Sequence, residues 1–294
     1  MAIIMDGRAL GQRIRESVSA RVLSLKEKNI VPCLAVILVG DNSASLSYVK
    51  SKEKALAEAG MESIDIRLKE STTEERLLSI ICDLNIDKKV HGILVQLPLP
   101  SHISEEKIIA AVLPEKDVDC FHPVSVGNMI LERKWFLPCT PHGVLMLLRE
   151  YSVPVSGSHV VIVGRSNIVG KPLASLLIRR EYNATVTVCH TGTKNLASHT
   201  LNADILIAAA GKPRFIKPDM VKEGAAVIDV GINRVQDISA KKGYSICGDV
   251  DPSAVDKAGF ITPVPGGVGP MTIAMLLQNV LEAASISTQE DGGS

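Results

Sequence analysis

A lysine stands where a helix should be apolar. Plotted at about 100° per residue, the run SASLSYVKSKEKALAEAG puts Lys50, Ser51, Lys54 and Glu58 on one side and Leu46, Val49, Ala55, Leu56 and Ala59 on the other, with Lys52 in the middle of the apolar side. Tyr48 precedes it by one turn, at the i, i+4 spacing that lets a phenol and an ammonium meet. Desolvation favours the neutral amine, so a lysine held in this way can exchange a proton near neutral pH. The alternative is a lysine whose stem lies on small residues while its amine reaches solvent.

Two further stretches weigh against that alternative. Gln96 is a polar amide closing the apolar strand GILVQLPLP, at the carboxyl edge of a parallel sheet where ligands bind, although a strand-end residue facing solvent would read the same way. In KDVD, Asp117 and Asp119 follow a proline-bounded helix end; they suit a substrate with adjacent N–H donors, or a plain solvated turn. Near the end of the chain, ITPVPGGVGPMT combines stiff prolines with Gly266, Gly267 and Gly269, a backbone suited to close approach of a flat ligand.

A separate stretch, HVVIVGRSNIVGKPLASLL, has the strand, turn and helix of a phosphate-binding unit, but its glycines depart from G-x-G-x-x-G: the turn carries Gly164, Ser166 and Gly170. The turn is therefore expected to be wider than the standard one, with the Ser166 hydroxyl available to a phosphate. Where NAD sites place an acidic residue on the ribose, this chain has CHTGTK, and Arg165 sits in the turn itself. Neutral and basic groups (His190, Thr191, Thr193, Lys194) favour a 2′-phosphate, hence NADP over NAD.

Those residues need elements to hold them. From Pro32 onward short apolar runs alternate with helical patterns, as in βαβ units on a parallel sheet: CLAVILVG, a helix at about 44–59, SIDIRLK, a helix at about 74–84, then VHGILVQLP. The segment from Lys116 to Thr140 interrupts the alternation. It then resumes through HVVIVG, ATVTVCH, DILIAAAG and AAVIDVGIN. The expectation is an α/β chain of two domains: a catalytic α/β domain over 1–138 with a closing helix at 270–286, a Rossmann-like dinucleotide domain over 139–269, and a disordered tail at 287–294.

The 294 residues suffice for two cores, and 46% are apolar. Lys+Arg and Asp+Glu balance at 32 each, which gives nucleic-acid binding no support. No window reaches the roughly 18 apolar residues of a membrane span and no signal peptide opens the chain, so the reading is a cytosolic protein. The six cysteines lie apart without a C-x-x-C pair and read as packing residues, and the histidines show no metal-binding spacing.

Taken in order, YVKSK, GILVQLPLP, PEKDVD, PCTPHG, VGRSNIVGKP and TPVPGGVGPMT resemble the bifunctional methylenetetrahydrofolate dehydrogenase/cyclohydrolase family, from about Leu38 to Ala284. The resemblance implies a cytoplasmic homodimer serving purine biosynthesis. It implies oxidation of methylenetetrahydrofolate with NADP, NAD being the other candidate, then hydrolysis of the methenyl form to formyltetrahydrofolate, without a metal. Carried across by motif, Lys52 is the catalytic lysine, Tyr48 orients or stacks on the folate, Gln96 tunes the lysine and Asp119 grips the pterin edge. Pro265, Gly266, Gly267 and Gly269 fall in the segment lining the folate site, and Gly164, Arg165, Ser166, Thr191 and Ile232 are the cofactor contacts. The chain departs from the family pattern where Cys120 replaces the glycine after DVD, expected to restrict the backbone beside Asp119. Ser125 and Met129 replace asparagine and leucine, and Gly192 stands where relatives carry lysine or arginine, which weakens the expected grip on a 2′-phosphate.

Two rival readings of the residues stand beside this one. Tyr48 and Lys52 match the Y-x-x-x-K pair of short-chain dehydrogenases, but there the pair follows the glycine turn, whereas here it precedes Gly164. A nucleotide sensor with a structural Lys52 would bind cofactor without consuming folate.

Overall fold

The computed structural model describes residues 1–237, 239–240 and 243–291. In chain order the elements are β1 (Ile3–Ile4), α1 (Gly7–Lys26), β2 (Cys33–Val39), α2 (Ser43–Glu58), β3 (Glu62–Leu68), α3 (Glu74–Ile86), β4 (Gly92–Val95), α4 (Glu105–Ala111), α5 (Pro123–Ile130), α6 (Cys139–Glu150), β5 (His159–Val163), α7 (Gly170–Leu177), β6 (Thr185–Cys189), α8 (Leu196–Thr200), β7 (Ile205–Ala208), β8 (Ala226–Asp229), β9 (Asn233–Gln236), β10 (Tyr244–Cys247), β11 (Phe260–Ile261) and α9 (Val268–Asp291). They divide into two units: Arg13–Cys139 with Ile273–Ser294, which carries Lys52, and Met1–Gln12 with Thr140–Thr272, which carries the glycine turn.

The lysine unit is built on a parallel sheet of order β3-β2-β4. Central β2 reads CLAVILV and every residue of it is buried. A strand covered on both faces has no polar side to show, so its sequence runs apolar without alternation. Helix α3 starts at Thr73, whose hydroxyl accepts the Arg76 N–H at 3.3 Å, and Glu74 and Glu75 complement the positive end of the helix dipole. Its Leu77, Ile80, Ile81 and Leu84 recur at the helical period and join Ala35, Ile37 and Ile93 in one core. Leu77 is fully buried there, so Leu77→Ala would cost about 2–5 kcal/mol. The segment that interrupts the strand–helix alternation holds α5, begun by Pro123 and capped by His122, whose Nδ1 accepts the Val124 N–H at 3.0 Å.

The turn unit carries a six-stranded sheet of order β1-β11-β8-β7-β5-β6, parallel throughout. From β5 the chain moves to β6 on one side and then returns to β7 on the other. The strand order therefore reverses beside β5, the place where ligands of doubly wound sheets bind. Strands β9 and β10 form a separate antiparallel pair.

Two expectations about boundaries change. The first twelve residues, read from the sequence with the catalytic domain, cluster with the turn unit, because Ile3 and Ile4 pair with Phe260 and Ile261. A Cβ on Gly7 would also collide with the Gly267 carbonyl. The tail expected to be disordered from 287 is helical to Asp291 as the end of α9, and its last three residues lie outside the described ones. From Ile273 onward α9 clusters with the lysine unit. Among the described residues, no helix is long and apolar enough to cross a membrane.

Candidate active site

Helix α2 turns the face read from its periodicity inward. Val49 and Leu56 are fully buried and Lys50 is exposed. Lys52, between them, is only 7% exposed, which excludes an amine reaching freely into solvent. Its Nζ donates to Gln96 Oε1 at 3.1 Å, and the Gln96 Nε2 donates to the Leu97 carbonyl at 2.8 Å. With its amide anchored to the backbone, Gln96 can present only its oxygen to the lysine. Tyr48 is half-buried one turn earlier, and burial raises its phenol above the ordinary value.

Asp119 belongs to the same constellation. It lines a small cavity with Leu97, the residue after Gln96, and with Ile93 and Val95 of β4. The Cys139 thiol lies 3.6 Å from Asp119 Oδ1 and 3.5 Å from the Val118 carbonyl. Burial, then the Asp119 carboxylate, pushes that thiol well above its ordinary value, while the Lys52 ammonium pulls it down. The buried Cys139 sulfur thus touches Asp119 and feels the charge of Lys52. Asp117 has a structural part instead: its carboxylate accepts the N–H groups of Phe121 at 3.1 Å and His122 at 2.8 Å, and burial raises it.

Two contributors escaped the sequence reading. Cys139 was read only as packing, although it stands in PCTPHG. Asn279, 1% exposed on α9, donates from Nδ2 to the carbonyls of Val118 at 2.7 Å and Leu137 at 2.9 Å. It therefore fixes the backbone next to Asp119, and no sequence signal beyond an amide in an apolar helix marks it. Cys120 adopts φ +60, the left-handed region that costs a non-glycine residue about 1–2 kcal/mol. The backbone beside Asp119 thus keeps a conformation suited to the glycine of the family pattern, held here by the buried thiol donating to the Phe136 carbonyl at 3.2 Å. Ser125 and Met129 are both buried on α5.

In the turn unit, Gly164 has φ +141, and a Cβ there would collide with the Ala209 carbonyl; one on Gly170 would collide with Gly164. The two glycines let the turn close on itself and on the loop after β7. Ser166 fills the place of the missing glycine differently from expectation. Its Oγ accepts the N–H groups of Val169 at 3.1 Å and Gly170 at 3.4 Å, and its carbonyl accepts that of Lys171 at 3.1 Å. The first amides of α7 are therefore satisfied within the turn, and Pro172 has none to offer. The Ser166 proton and the exposed Arg165 remain for an anion.

After β6, His190 and Thr193 close a tight turn. The His190 N–H donates to Thr193 Oγ1 at 2.9 Å and the Gly192 N–H to His190 Nδ1 at 3.1 Å, leaving Thr191 and Lys194 exposed. Ile232 is 45% exposed, and a Cβ on Gly269 would stand 3.5 Å from its Cδ1. Gly266 has φ +120, and Gly267 is pressed against Pro263 and Thr262, so both must be glycine. The segment holding Pro265 and these glycines therefore abuts an expected cofactor contact within the turn unit.

A doubly wound parallel sheet with a glycine turn at its switch point, joined in one chain to a unit with a buried lysine–amide pair, defines a two-domain, dinucleotide-dependent class of enzyme. The catalytic domain of tetrahydrofolate dehydrogenase/cyclohydrolase matches residues 5–119, and the NAD(P)-binding domain of the same enzymes matches residues 138–288. The chain belongs to the tetrahydrofolate dehydrogenase/cyclohydrolase family. It is 55% identical over 285 residues to a bifunctional protein FolD of Exiguobacterium sibiricum, covering 97% of this chain and 100% of that one. Among solved structures, the bifunctional FolD enzyme of Campylobacter jejuni is 50% identical, with a TM-score of 0.92 over 97% of this chain and 99% of the other. A Trypanosoma brucei FolD, solved with NADP cofactor and an inhibitor, is 40% identical, with a TM-score of 0.94 over 98% and 99%.

Proposed function

We propose that this chain is a bifunctional one-carbon folate enzyme, oxidising methylenetetrahydrofolate with NADP and hydrolysing the methenyl product to 10-formyltetrahydrofolate. The carrying observation is the buried Lys52 amine, donating at 3.1 Å to an amide that is itself tied to the backbone.

Oxidation removes hydride from a carbon already activated by nitrogen lone pairs, so the protein's part is to position the substrate. Asp119, an acceptor with two oxygens, suits the paired N–H groups of the amino-pyrimidinone edge and so sets which face of the pterin is presented. Tyr48, on the Lys52 face of α2, offers a flat, largely apolar ring to the folate. In the turn unit, Arg165, Ser166 and Thr191 suit the phosphates, Gly164 permits close backbone approach, and exposed Ile232 offers an apolar contact to a ring. The dinucleotide, when bound, supplies the hydride acceptor. Pro265, Gly266, Gly267 and Gly269 complete the folate lining in this reading.

Hydrolysis requires a water to add to the methenyl carbon, one proton to leave that water, and a proton to reach the departing ring nitrogen as its bond to carbon breaks. Lys52 is the group that takes and returns the proton, with the Gln96 oxygen holding its amine in place. The homodimer, the cytoplasmic location and the service to purine biosynthesis belong to the same reading, supported by family membership alone.

The test is absorbance of the reduced nicotinamide when purified protein meets methylenetetrahydrofolate with NADP or NAD, the methenyl species being followed in the same trace. Reduction favouring NADP without lasting methenyl signal is expected. Binding of cofactor with no folate turnover would overturn the proposal in favour of a sensor.

A further inference from the structure

The most heavily hydrogen-bonded side chain of the turn unit among the described residues is one the mechanism does not use. Asp249 is fully buried just after β10. Its Oδ2 accepts the N–H groups of Ala210 at 2.6 Å and Gly211 at 2.8 Å; its Oδ1 accepts the Lys212 N–H at 2.9 Å and the Asn233 Nδ2 at 2.8 Å. Three donors lie in the loop after β7 and the fourth, Asn233, opens β9 after the loop that follows β8, so all come from chain leaving the carboxyl edge at which a doubly wound sheet binds its ligand.

The sequence makes room for this carboxylate at a specific cost in side chains. A Cβ on Gly231 would collide with Asp249 Oδ1, and one on Gly248 would collide with Asp229 Oδ2. Asp229 in turn accepts the N–H groups of Gly231, Asp249 and Val250, each at 2.9 Å, and so holds Asp249 from behind. Two buried carboxylates therefore brace one another's loops through glycines that admit them.

The braced loops are the ones that touch the proposed cofactor contacts. Ala209, adjacent to the first Asp249 donor, puts its carbonyl where a Cβ on Gly164 would be, so the loop after β7 sets the shape of the glycine turn. Asn233, the side-chain donor, immediately follows Ile232. We infer that Asp249 is a positioning residue for the dinucleotide, holding the Ala209–Lys212 loop against Gly164 and, through Asn233, the Ile232 contact. This rests on reading Gly164, Arg165, Ser166 and Ile232 as the cofactor site.

The family's two reactions separate positioning from general stability, because methenyl hydrolysis uses no dinucleotide. Asp249→Asn must set an amide NH₂ against two donors whichever way it turns, so the KM for NADP is expected to rise about tenfold or more. The kcat/KM for methenyl hydrolysis should stay within about twofold, since a lost brace in one unit acts on the step that needs it. Asn233→Ala removes one donor and leaves the backbone donors paired; a rise of about threefold in the NADP KM, with an unchanged melting temperature, is expected. If Asp249→Asn fails to fold, Asn233→Ala decides alone. An unchanged NADP KM in the folded variant, or parallel loss of both reactions, would overturn the inference. Arg165→Ala, exposed and outside the brace, checks the reading beneath it: if Arg165→Ala leaves the NADP KM unmoved the cofactor site is misplaced, whereas an effect of Arg165→Ala with none from Asn233→Ala refutes only the brace.

Discussion

The Lys52 Nζ stands 3.1 Å from the Gln96 side-chain oxygen, joining helix α2 to the residue that follows β4. Neither residue could hold the other loosely. Lys52 is only 7% exposed, and the Gln96 amide is fastened to the Leu97 carbonyl. Gln96→Ala leaves a buried amine without this acceptor, and a hydrogen bond to a charged group contributes about 1.5–3 kcal/mol. Methenyl hydrolysis should fall by about tenfold to a hundredfold on that basis, with a smaller change in hydride transfer, measured as the two rates in one preparation. Equal loss of both would assign Gln96 to folate binding rather than to the lysine.

Gly192 offers a direct test of cofactor choice. A Cβ there would lie 3.2 Å from His190 Cε1 and 3.3 Å from Nδ1, so the ring need yield only slightly to admit a side chain. Gly192→Arg would add a guanidinium to the turn that holds Thr191 and Lys194, and charge-assisted bonds to a phosphate should raise the NADP-over-NAD ratio of kcat/KM by about tenfold. An unchanged ratio would place the 2′-phosphate away from this turn.

His142 gives the turn unit an acid limit. Burial lowers its pKa from 6.5 to about 4, and its Nδ1 is buried without a hydrogen-bond partner among the described residues. Below pH 6.5 the unfolded chain takes up a proton that the folded chain refuses, so this group's contribution is full above 6.5 and declines as pH falls toward about 4. The difference amounts to about 3 kcal/mol at the acid end. His142→Leu should therefore shrink the drop in melting temperature between neutral and mildly acidic buffer. A variant as acid-sensitive as the parent would show that other groups set the limit.

The buried lysine was legible because helical periodicity is a strong signal and a charge on the wrong face breaks it. Gln96 was legible for a similar reason, as a polar residue at the end of a buried strand. The strands β5 to β8 of the turn unit were legible as apolar runs, but their order in the sheet was not. What stayed hidden depends on distant pairing. The two-residue strand β1 owes its place to Phe260 and Ile261, and nothing in Ile3 or Ile4 announces that partner. Nothing in the sequence marks Asp229 and Asp249, because only the fold shows that glycines at 231 and 248 open space for their carboxylates. That Ser166 Oγ accepts the Val169 and Gly170 amides while keeping its own proton for an anion is visible only in the folded turn.

Lys52→Met tests the account most directly. A methionine keeps the length and apolar stem of the lysine and removes only the amine. With methenyltetrahydrofolate as substrate, hydrolysis should drop by about a hundredfold or more, the scale of a lost acid–base group, while folate binding measured by titration persists. Hydrolysis at the parent rate by a folded Lys52→Met enzyme would contradict the assignment and return Lys52 to a structural residue.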